Sequence, residues 1–304
     1  MKQTTYIGKP VRRIEDRALL TGAGRFVADL RFPGMLEAAF VRSPHAHARI
    51  RGIDSRGARA HPDVAAVLTL ADLGPLLTHE RLPLGFRTDE LPPDITPFVL
   101  ARAEVAFAGE AVAVVVARNR YVAEDAAALV HVDYEPLPAV SDCRAALAPG
   151  SPLVHSAKKS NLLIEFKQAY GDVEGAFARA PRRASVHLKQ HRGGAHSIEG
   201  RGAAAVYDPI EDRLTLWSST QLAHELRGSL MTLLGLDENR LRVVAPDVGG
   251  GFGAKFLMYP EEVTLAASCL LLRHPIKWIE DRREAFYRGR AGARSILGPG
   301  RCLR

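Results

Sequence analysis

The sequence predicts a mixed α/β protein with two domains and a linker between them. One indication is the order of elements. A small and β-branched apolar run over residues 109–117 precedes a helix-forming stretch over 120–128 and a second strand over 129–134. Another is the shift to Pro, Ala, Ser, Gly and Lys over residues 136–161, which is typical of a linker. At 304 residues the chain is long enough for two hydrophobic cores.

Before the linker, short apolar runs predict strands at residues 35–41 and 64–69. Residues 73–97 contain several prolines and no clear period, which predicts a long surface loop. After the linker, Asp172 suits the N-cap of a short helix. The remaining predicted elements are strands at 185–190, 203–207, 214–218, 241–245 and 275–280, and helices at 222–234 and 259–273. We expect the two domains to form separate sheets.

Composition excludes several classes of protein. Hydrophobic residues make up 47% of the chain and charged residues 25%, as in ordinary globular proteins. The net charge of +7 comes mostly from Arg, without interleaved aromatic residues, so we expect no nucleic-acid partner. Cys143, Cys269 and Cys302 lie far apart and predict neither disulfides nor an iron–sulfur cluster. No apolar run approaches the ~20 residues of a membrane span, so we expect a cytoplasmic protein.

Two motifs have a possible ligand-binding role. His45 and His47 form a His-x-His pair, but no third ligand stands nearby, so we expect a structural role. The second motif is the glycine loop, residues 249–253, which follows the strand at 241–245 and precedes a helix. Its main-chain N–H groups suit an anion or a closely approaching ligand, although a plain tight turn is an equal alternative.

Known glycine-rich patterns fit this loop poorly. A phosphate loop needs Ser or Thr after its Lys, and Lys255 is followed by Phe256. A dinucleotide-binding pattern starting at Gly249 needs Gly at position 254, where the chain has Ala. A nucleotide-binding enzyme is therefore the weakest of the functional alternatives.

A longer series of matches resembles a known family. Val244-Ala-Pro-Asp-Val and the glycine loop through Lys255 resemble the cofactor loop of the molybdenum-binding subunits of the xanthine dehydrogenase/aldehyde oxidase family, especially the carbon monoxide dehydrogenase type. The resemblance continues through Leu214-Thr-Leu-Trp-Ser-Ser-Thr-Gln221, Tyr259-Pro-Glu-Glu262 and the residues 275–284. It covers most of residues 6–287 but less than half of a family subunit, and it implies an N-terminal portion.

The resemblance implies the fold and its boundaries. It implies an α/β (α+β) chain in which an a/b hammerhead domain precedes the first part of a molybdopterin-binding domain. The boundaries are a lead-in at 1–20, the hammerhead domain at 21–137, a linker at 138–164, the molybdopterin-binding part at 165–287 and an irregular basic tail at 288–304. That tail is either flexible or the product of a shifted reading frame.

The resemblance also implies site residues. Gln221 corresponds to a glutamine that hydrogen-bonds an oxygen ligand of molybdenum, and an amide can do so without adding charge. The cofactor-binding positions are Gly250, Gly251, Phe252 and Gly253. Glu199 and Arg201 resemble residues near the substrate funnel, with an exposed ion pair as the alternative. No protein side chain is expected to ligate the metal directly. Glu261 and Glu262 suit a helix N-terminus.

The implied function is that of a molybdenum hydroxylase large subunit, which oxidises an aldehyde or N-heterocycle C–H with oxygen from water. Its cofactor is molybdopterin, expected as the cytosine dinucleotide, with molybdenum. Electrons pass to an FAD-binding medium subunit and a [2Fe-2S] small subunit, in a dimer of heterotrimers. Phe256 stands where purine-hydroxylating members have Glu, and both the carbon monoxide-oxidising Cys loop and the glutamate base are missing. A non-catalytic truncated product and an assembly or binding module therefore remain alternatives.

Overall fold

The computed structural model describes residues 7–83, 93–165, 168, 170–189, 194–288 and 296–303. Its strands are β1 (Leu36–Arg42), β2 (Ala48–Asp54), β3 (Val64–Leu68), β4 (Glu104–Val105), β5 (Ala111–Ala117), β6 (His131–Pro136), β7 (Arg183–Lys189), β8 (Gly202–Asp208), β9 (Arg213–Ser218), β10 (Leu241–Val244), β11 (Ile276–Ile279) and β12 (Ile296–Leu303). Its α-helices are α1 (Asp16–Leu20), α2 (Arg56–Arg59), α3 (Leu70–Leu73), α4 (Arg120–Ala128), α5 (Val173–Arg179), α6 (Ala223–Leu234), α7 (Pro260–Leu272) and α8 (Arg282–Arg288).

Local signals account for the ends of several helices. Asp172 caps α5 by accepting a hydrogen bond from the Gly175 N–H over 2.8 Å, as its sequence position predicts. Gly235 ends α6 in the left-handed conformation, which glycine adopts without steric cost. Arg273 adopts the same conformation after α7, although it has a side chain.

The expectation of two separate sheets is wrong. Within the described ranges, seven strands from both halves of the chain form one sheet, in the order β10-β9-β8-β11-β1-β5-β3. The halves join where β1 runs parallel to β11, with Leu36 opposite Ile276 and Glu37 opposite Lys277. The Leu36 N–H donates to the Pro275 carbonyl over 2.8 Å. At this junction, β1 and β11 therefore supply hydrogen-bond partners for each other's main-chain groups.

One hydrophobic core crosses the same junction. Phe40 on β1 packs edge-to-face against Trp278 on β11, with ring centroids 5.4 Å apart. Helix α7 lies over the sheet, and its residues from Pro260 to Cys269 are buried. The other large core side chains come from both halves and include Leu68, Leu73, Val114, Leu214, Leu230 and Leu265. A three-stranded sheet in the order β4-β2-β6 forms a separate layer of the first half.

The linker is fastened to the first half. His47 is buried, and its ring nitrogens lie 2.9 Å from the Pro138 carbonyl and 3.1 Å from Glu104 Oε1. The same Glu104 oxygen accepts the Ser156 N–H over 3.0 Å. These contacts give His47 the structural role that the sequence predicts.

The expectation of an irregular tail needs correction over part of its length. Strand β12 pairs antiparallel with β7, with a register shift between Leu297 and Gly300. The pairing satisfies main-chain groups of β7, and the shift falls where Pro299 cannot donate a hydrogen bond. Residues 289–295 and 304 of the tail lie outside the described residues.

Two other predicted segments are partly described. Residues 1–6 of the lead-in and residues 84–92 of the predicted surface loop lie outside the described residues. The described ends of that loop contain short 3₁₀ turns at Gly74–Leu76 and Pro93–Ile95. In the described part of the chain, no helix is both long and apolar enough to cross a membrane.

The thiols should differ in reactivity. Cys269 is fully buried on α7, and burial raises its pKa to about 12. Cys143 is exposed. At neutral pH we expect iodoacetamide to label Cys143 and leave Cys269 unmodified in the folded chain, because the thiolate is the reactive form. Peptide mapping by mass spectrometry checks this. Labelling of Cys269 at the rate of Cys143 under native conditions would contradict the buried position of α7.

Candidate functional site

The entry to the glycine loop is anchored by Asp247. Its carboxylate accepts the Arg25 N–H over 2.7 Å, and its own N–H donates to the Arg25 carbonyl over 3.0 Å. Residue 25 belongs to the first half of the chain, whereas the loop follows β10 in the second. The position of the loop therefore depends on contact between the two halves.

The backbone of the loop exposes hydrogen-bond donors. Gly250 and Gly253 have φ of 99° and 85°, and Phe252 also has a positive φ, 51°. Turns in which left-handed residues alternate with other conformations can direct neighbouring main-chain N–H groups toward one ligand. Among the described residues, the N–H groups of Gly250, Gly251 and Phe252 meet no acceptor. Phe252 adopts a costly conformation for a bulky residue while its side chain is 75% exposed.

Gln221 and the glycine loop are in direct contact. Gln221 Oε1 accepts the Gly253 N–H over 3.0 Å, and the Gln221 N–H donates to the Lys255 carbonyl over 2.8 Å. A Cβ added to Gly251 would lie 2.5 Å from both Cδ and Oε1 of Gln221. Glycine at 251 is thus required for this close approach, which brings the two sequence motifs together.

Glu199 and Lys255 form a buried ion pair beneath the loop. Lys255 is 2% exposed, and its Nζ donates to Glu199 Oε2 over 2.7 Å. The Gly249 N–H donates to the same oxygen over 2.6 Å. Burial lowers the pKa of the Lys255 ammonium, and the neighbouring Glu199 opposes that shift. Since Lys255 is directed to Glu199, it is not available to a phosphate, which argues against a phosphate-loop function.

Arg201 belongs to a different charge cluster. It donates from Nε to Glu280 Oε1 over 2.9 Å, and a terminal guanidinium nitrogen lies 3.3 Å from Glu261 Oε2. Its guanidinium also stacks 4.2 Å from the centre of the Tyr259 ring. The alternative of an exposed ion pair between Glu199 and Arg201 is therefore wrong, because each is largely buried with other partners.

The two glutamates at the start of α7 have roles that the sequence reasoning missed. Glu262 accepts hydrogen bonds from the Tyr259 N–H and from Ser218 Oγ, and burial raises its pKa. Glu261 is 0% exposed and bridges Arg201 to Arg42 on β1. Acidic residues at a helix start have an ordinary explanation in the helix dipole, so the sequence contains no separate signal for this burial.

An open cleft adjoins the loop. Its interior is small, about 30 Å³, and it is bounded by His196, Ser197, Arg201, Lys255, Tyr259 and Arg282. Arg282 donates to the carbonyls of Ser197 and Ile198 over 2.8 Å, so it holds the segment that carries Glu199. Exposed apolar residues lie within the loop and next to its contact residues in the chain, namely Ile198, Phe252 and Phe256. The site therefore combines main-chain donors that meet no acceptor among the described residues, an amide side chain and exposed apolar side chains.

Comparison with known protein families defines the class. Residues 21–138 match the aldehyde oxidase and xanthine dehydrogenase a/b hammerhead domain, and residues 154–296 match the molybdopterin cofactor-binding domain. The loop, Gln221 and the Glu199–Lys255 pair all lie in the second match. The fold is thus a hammerhead domain followed by a molybdopterin-binding domain.

Individual relatives agree with this class. The chain is 41% identical to the nicotine 6-hydroxylase large subunit of Paenarthrobacter nicotinovorans, over 93% of this chain and 34% of that protein. It is 41% identical to the carbon monoxide dehydrogenase large chain of Afipia carboxidovorans, over 90% of this chain and 34% of that protein. The solved quinoline 2-oxidoreductase of Pseudomonas putida 86 superposes with a TM-score of 0.82 at 38% identity, covering 93% of this chain and 36% of that chain.

This chain belongs to the xanthine dehydrogenase/aldehyde oxidase family, among its molybdopterin-binding large subunits of the carbon monoxide dehydrogenase type. It spans about a third of the length of the relatives it matches.

Proposed function

We propose that this chain forms one wall of the molybdopterin site in the large subunit of a molybdenum hydroxylase. The observation that supports this best is the row of N–H groups at Gly250, Gly251 and Phe252 beside Gln221, which meet no acceptor in the described part of the chain. Such a row suits the oxygen-rich edge of a pterin cofactor, and the absence of Cβ atoms at two of the three positions lets the ligand approach the backbone. The residues present therefore fit the cofactor.

Gln221 has a defined orientation for this role. Its Oε1 already accepts the Gly253 N–H, so its amide NH₂ is the end that remains to donate. A neutral donor can hold an oxygen atom of the cofactor without adding charge to the site. When bound, the cofactor supplies the two-electron redox chemistry that side chains cannot provide. The chain itself orients the cofactor and contributes apolar walls through Phe252 and Phe256.

The finer assignments follow from the family. The proposed substrate is an aldehyde or an N-heterocycle, with oxygen derived from water, and the proposed cofactor form is the cytosine dinucleotide. Electrons pass to an FAD-binding subunit and a [2Fe-2S] subunit in a cytoplasmic dimer of heterotrimers. Glu199 and Arg201 were expected near the substrate funnel. Their ion pairs favour a different role, in which Glu199 positions the loop and Arg201 holds one wall of the cleft.

A chimaera tests cofactor binding directly. In it, the aligned residues of this chain replace the matching segment of the Paenarthrobacter large subunit, expressed in that organism. We expect the purified chimaera to retain molybdenum and pterin, and Gln221→Ala to reduce turnover by about 100-fold through loss of a positioned donor. Gln168→Ala, at an exposed position outside the site, is the matched control and should behave as the unsubstituted chimaera. A folded chimaera without molybdenum would contradict the proposal.

The 304-residue chain by itself should behave differently. About two thirds of the length of each matched relative has no matching residues in these 304 residues. The loop provides only one side of a site. A cofactor bound to one side gains too few contacts to offset its lost freedom. We expect no stoichiometric molybdenum and no dye-linked aldehyde oxidation from this chain expressed alone. Metal analysis and the dye assay on the purified chain check this, and turnover with bound molybdenum would refute it.

A further inference from the structure

Lys255 connects both parts of the proposed cofactor site. Through its side chain it contacts Glu199, whose carboxylate oxygen also accepts the Gly249 N–H at the start of the glycine loop. Through its carbonyl it accepts the Gln221 N–H over 2.8 Å. The Gln221 amide in turn accepts the Gly253 N–H at the end of the loop. Both ends of residues 249–253 are thus held by hydrogen bonds that lead to this one residue.

The ion pair is a poor device for stability alone. Removing an ammonium and a carboxylate from water costs several kcal/mol for each group, and hydrophobic replacements of similar size are often neutral or stabilising. The direction of the Lys255 pKa shift agrees, because burial has a larger influence than the attraction of Glu199. The effect that the pair does have is on geometry, because it fixes the position of the Glu199 carboxylate. Glu199 Oε2 lies between two donors, so Lys255 fixes the acceptor that holds Gly249.

Gly249 shows how little freedom this contact leaves. A Cβ at Gly249 would lie 2.5 Å from the Cβ of Glu199, and the Glu199 N–H donates back to the Gly249 carbonyl over 3.3 Å. The Glu199 segment is itself held by Arg282 through the carbonyls of Ser197 and Ile198. A displacement of Glu199 would therefore be passed to the loop backbone.

We propose that Lys255 is a positioning residue, which sets the distance between the N–H groups of the glycine loop and the Gln221 amide. The proposal rests on the proposed function, since it gives these groups a shared ligand. Lys255 does not touch that ligand in this proposal; it acts through Glu199 and through its own carbonyl.

The first test measures amide hydrogen exchange in the 304-residue chain and needs no cofactor. The double variant Lys255→Met with Glu199→Gln retains an oxygen acceptor for Gly249 and removes both charges of the pair, so neither is left buried without its partner. Within residues 249–253, the N–H groups of Gly249 and Gly253 are the ones with acceptors, and we expect exchange of these two amides to rise about tenfold, the equivalent of weakening a charge-assisted hydrogen bond to a neutral one. Glu199→Gln alone leaves the buried Lys255 ammonium without a carboxylate partner, so it should raise exchange of these amides at least as much. Unaltered exchange in the loop overturns the proposal.

Lys277 provides a matched control. Lys277 lies on β11 and is also 2% exposed. Its Nζ donates to the carbonyls of Ala28 and Leu30 and lies 3.3 Å from Glu37 Oε1. Lys277→Met removes a buried ammonium of the same kind without a contact to the loop. We expect it to alter the unfolding midpoint and leave exchange of residues 249–253 unchanged. If Lys277→Met loosens the loop as much as the double variant, the effect is general and the proposal fails.

The second test measures molybdenum content per polypeptide in the chimaera. The double variant should lose at least about tenfold in retained molybdenum, in proportion to the loosened loop, while Lys277→Met should retain it. A loosened loop with full molybdenum retention overturns the positioning role. Absence of molybdenum from the unsubstituted chimaera instead contradicts the proposed function, so the two failures are distinguishable.

Discussion

Replacing Glu261 by Ala should lower the free energy of unfolding by about 3–5 kcal/mol, the range for breaking buried ion pairs. Glu261 is 0% exposed in the first turn of α7. It lies 2.9 Å from an Arg42 nitrogen and 3.3 Å from an Arg201 nitrogen. Two buried ion pairs are lost in one substitution, and the smaller side chain leaves a void as well.

The two arginines retain one carboxylate each, which limits the expected loss. Arg42 Nε still donates to Glu284 over 2.8 Å, and Arg201 Nε still donates to Glu280 over 2.9 Å. Glu261→Gln should cost less than Glu261→Ala, because the amide keeps one acceptor oxygen and most of the volume. Arg42 lies on β1 and Arg201 next to β8, so Glu261 joins the two halves of the chain at the level of their shared sheet.

Urea denaturation of the 304-residue chain, followed by circular dichroism, measures this effect. Glu124→Ala is the matched control. Glu124 forms an exposed ion pair with Arg120 on α4, and its loss should cost less than about 1 kcal/mol. If Glu261→Ala and Glu124→Ala lowered the free energy of unfolding equally, the buried contacts of Glu261 with Arg42 and Arg201 would be absent from the folded chain. Without a cooperative transition, thermal unfolding midpoints of the same three proteins serve for the comparison.

Local patterns in the sequence were sufficient for most of the individual elements. The uniform small and β-branched run at 111–117 is a fully buried central strand, and the helix predicted at 120–128 has the observed bounds. Gly235 and Asp172 end and begin helices as their residue types predict. In each of these cases the deciding interactions lie within a few residues of the chain, so the local sequence contains the information.

Local sequence patterns could not predict that the two halves of the chain share one sheet. Leu36 and Ile276 are 240 positions apart, and nothing in either short strand specifies the other as its partner. A change of composition at the linker suggested independent sheets, because linkers usually separate domains. Here the linker lies along the first half, held by contacts such as those of His47, while the strands that follow it extend the first sheet.

The site residues also fall into two groups, those that sequence motifs identify and those whose role depends on packing between distant segments. The glycine loop and Gln221 were found through resemblance, and the structure brings them into contact. The Glu199–Lys255 pair was missed because its partners are 56 positions apart and each residue has a common surface role. The sequence pattern offers Lys255 only one role, that of a phosphate ligand. Its burial depends on the packing of the loop against the Glu199 segment, which no local pattern reports.

Gly251→Ala should reduce turnover of the chimaera by about 100-fold, as for a displacement of about 1 Å among positioning groups. The added Cβ would lie 2.5 Å from Cδ and Oε1 of Gln221, far inside contact distance. The Gln221 side chain must move, which breaks its hydrogen bond to the Gly253 N–H and turns the amide donor away from the loop. Because the change adds one methyl group and no charge, a large effect would have to come from this displacement.

Gly228→Ala is the matched control for that substitution. Gly228 lies on α6, and a Cβ added there would have nothing within 4 Å. Replacing Gly228 by Ala should be neutral or stabilise the helix by up to about 1 kcal/mol. Turnover and molybdenum content are measured on the same preparations of both variants. Gly251→Ala should lose activity more than molybdenum, since the other loop N–H groups remain, whereas Gly228→Ala should lose neither. Activity in Gly251→Ala equal to that of Gly228→Ala would mean that Gln221 can move without consequence, and it would remove Gln221 from the proposed site.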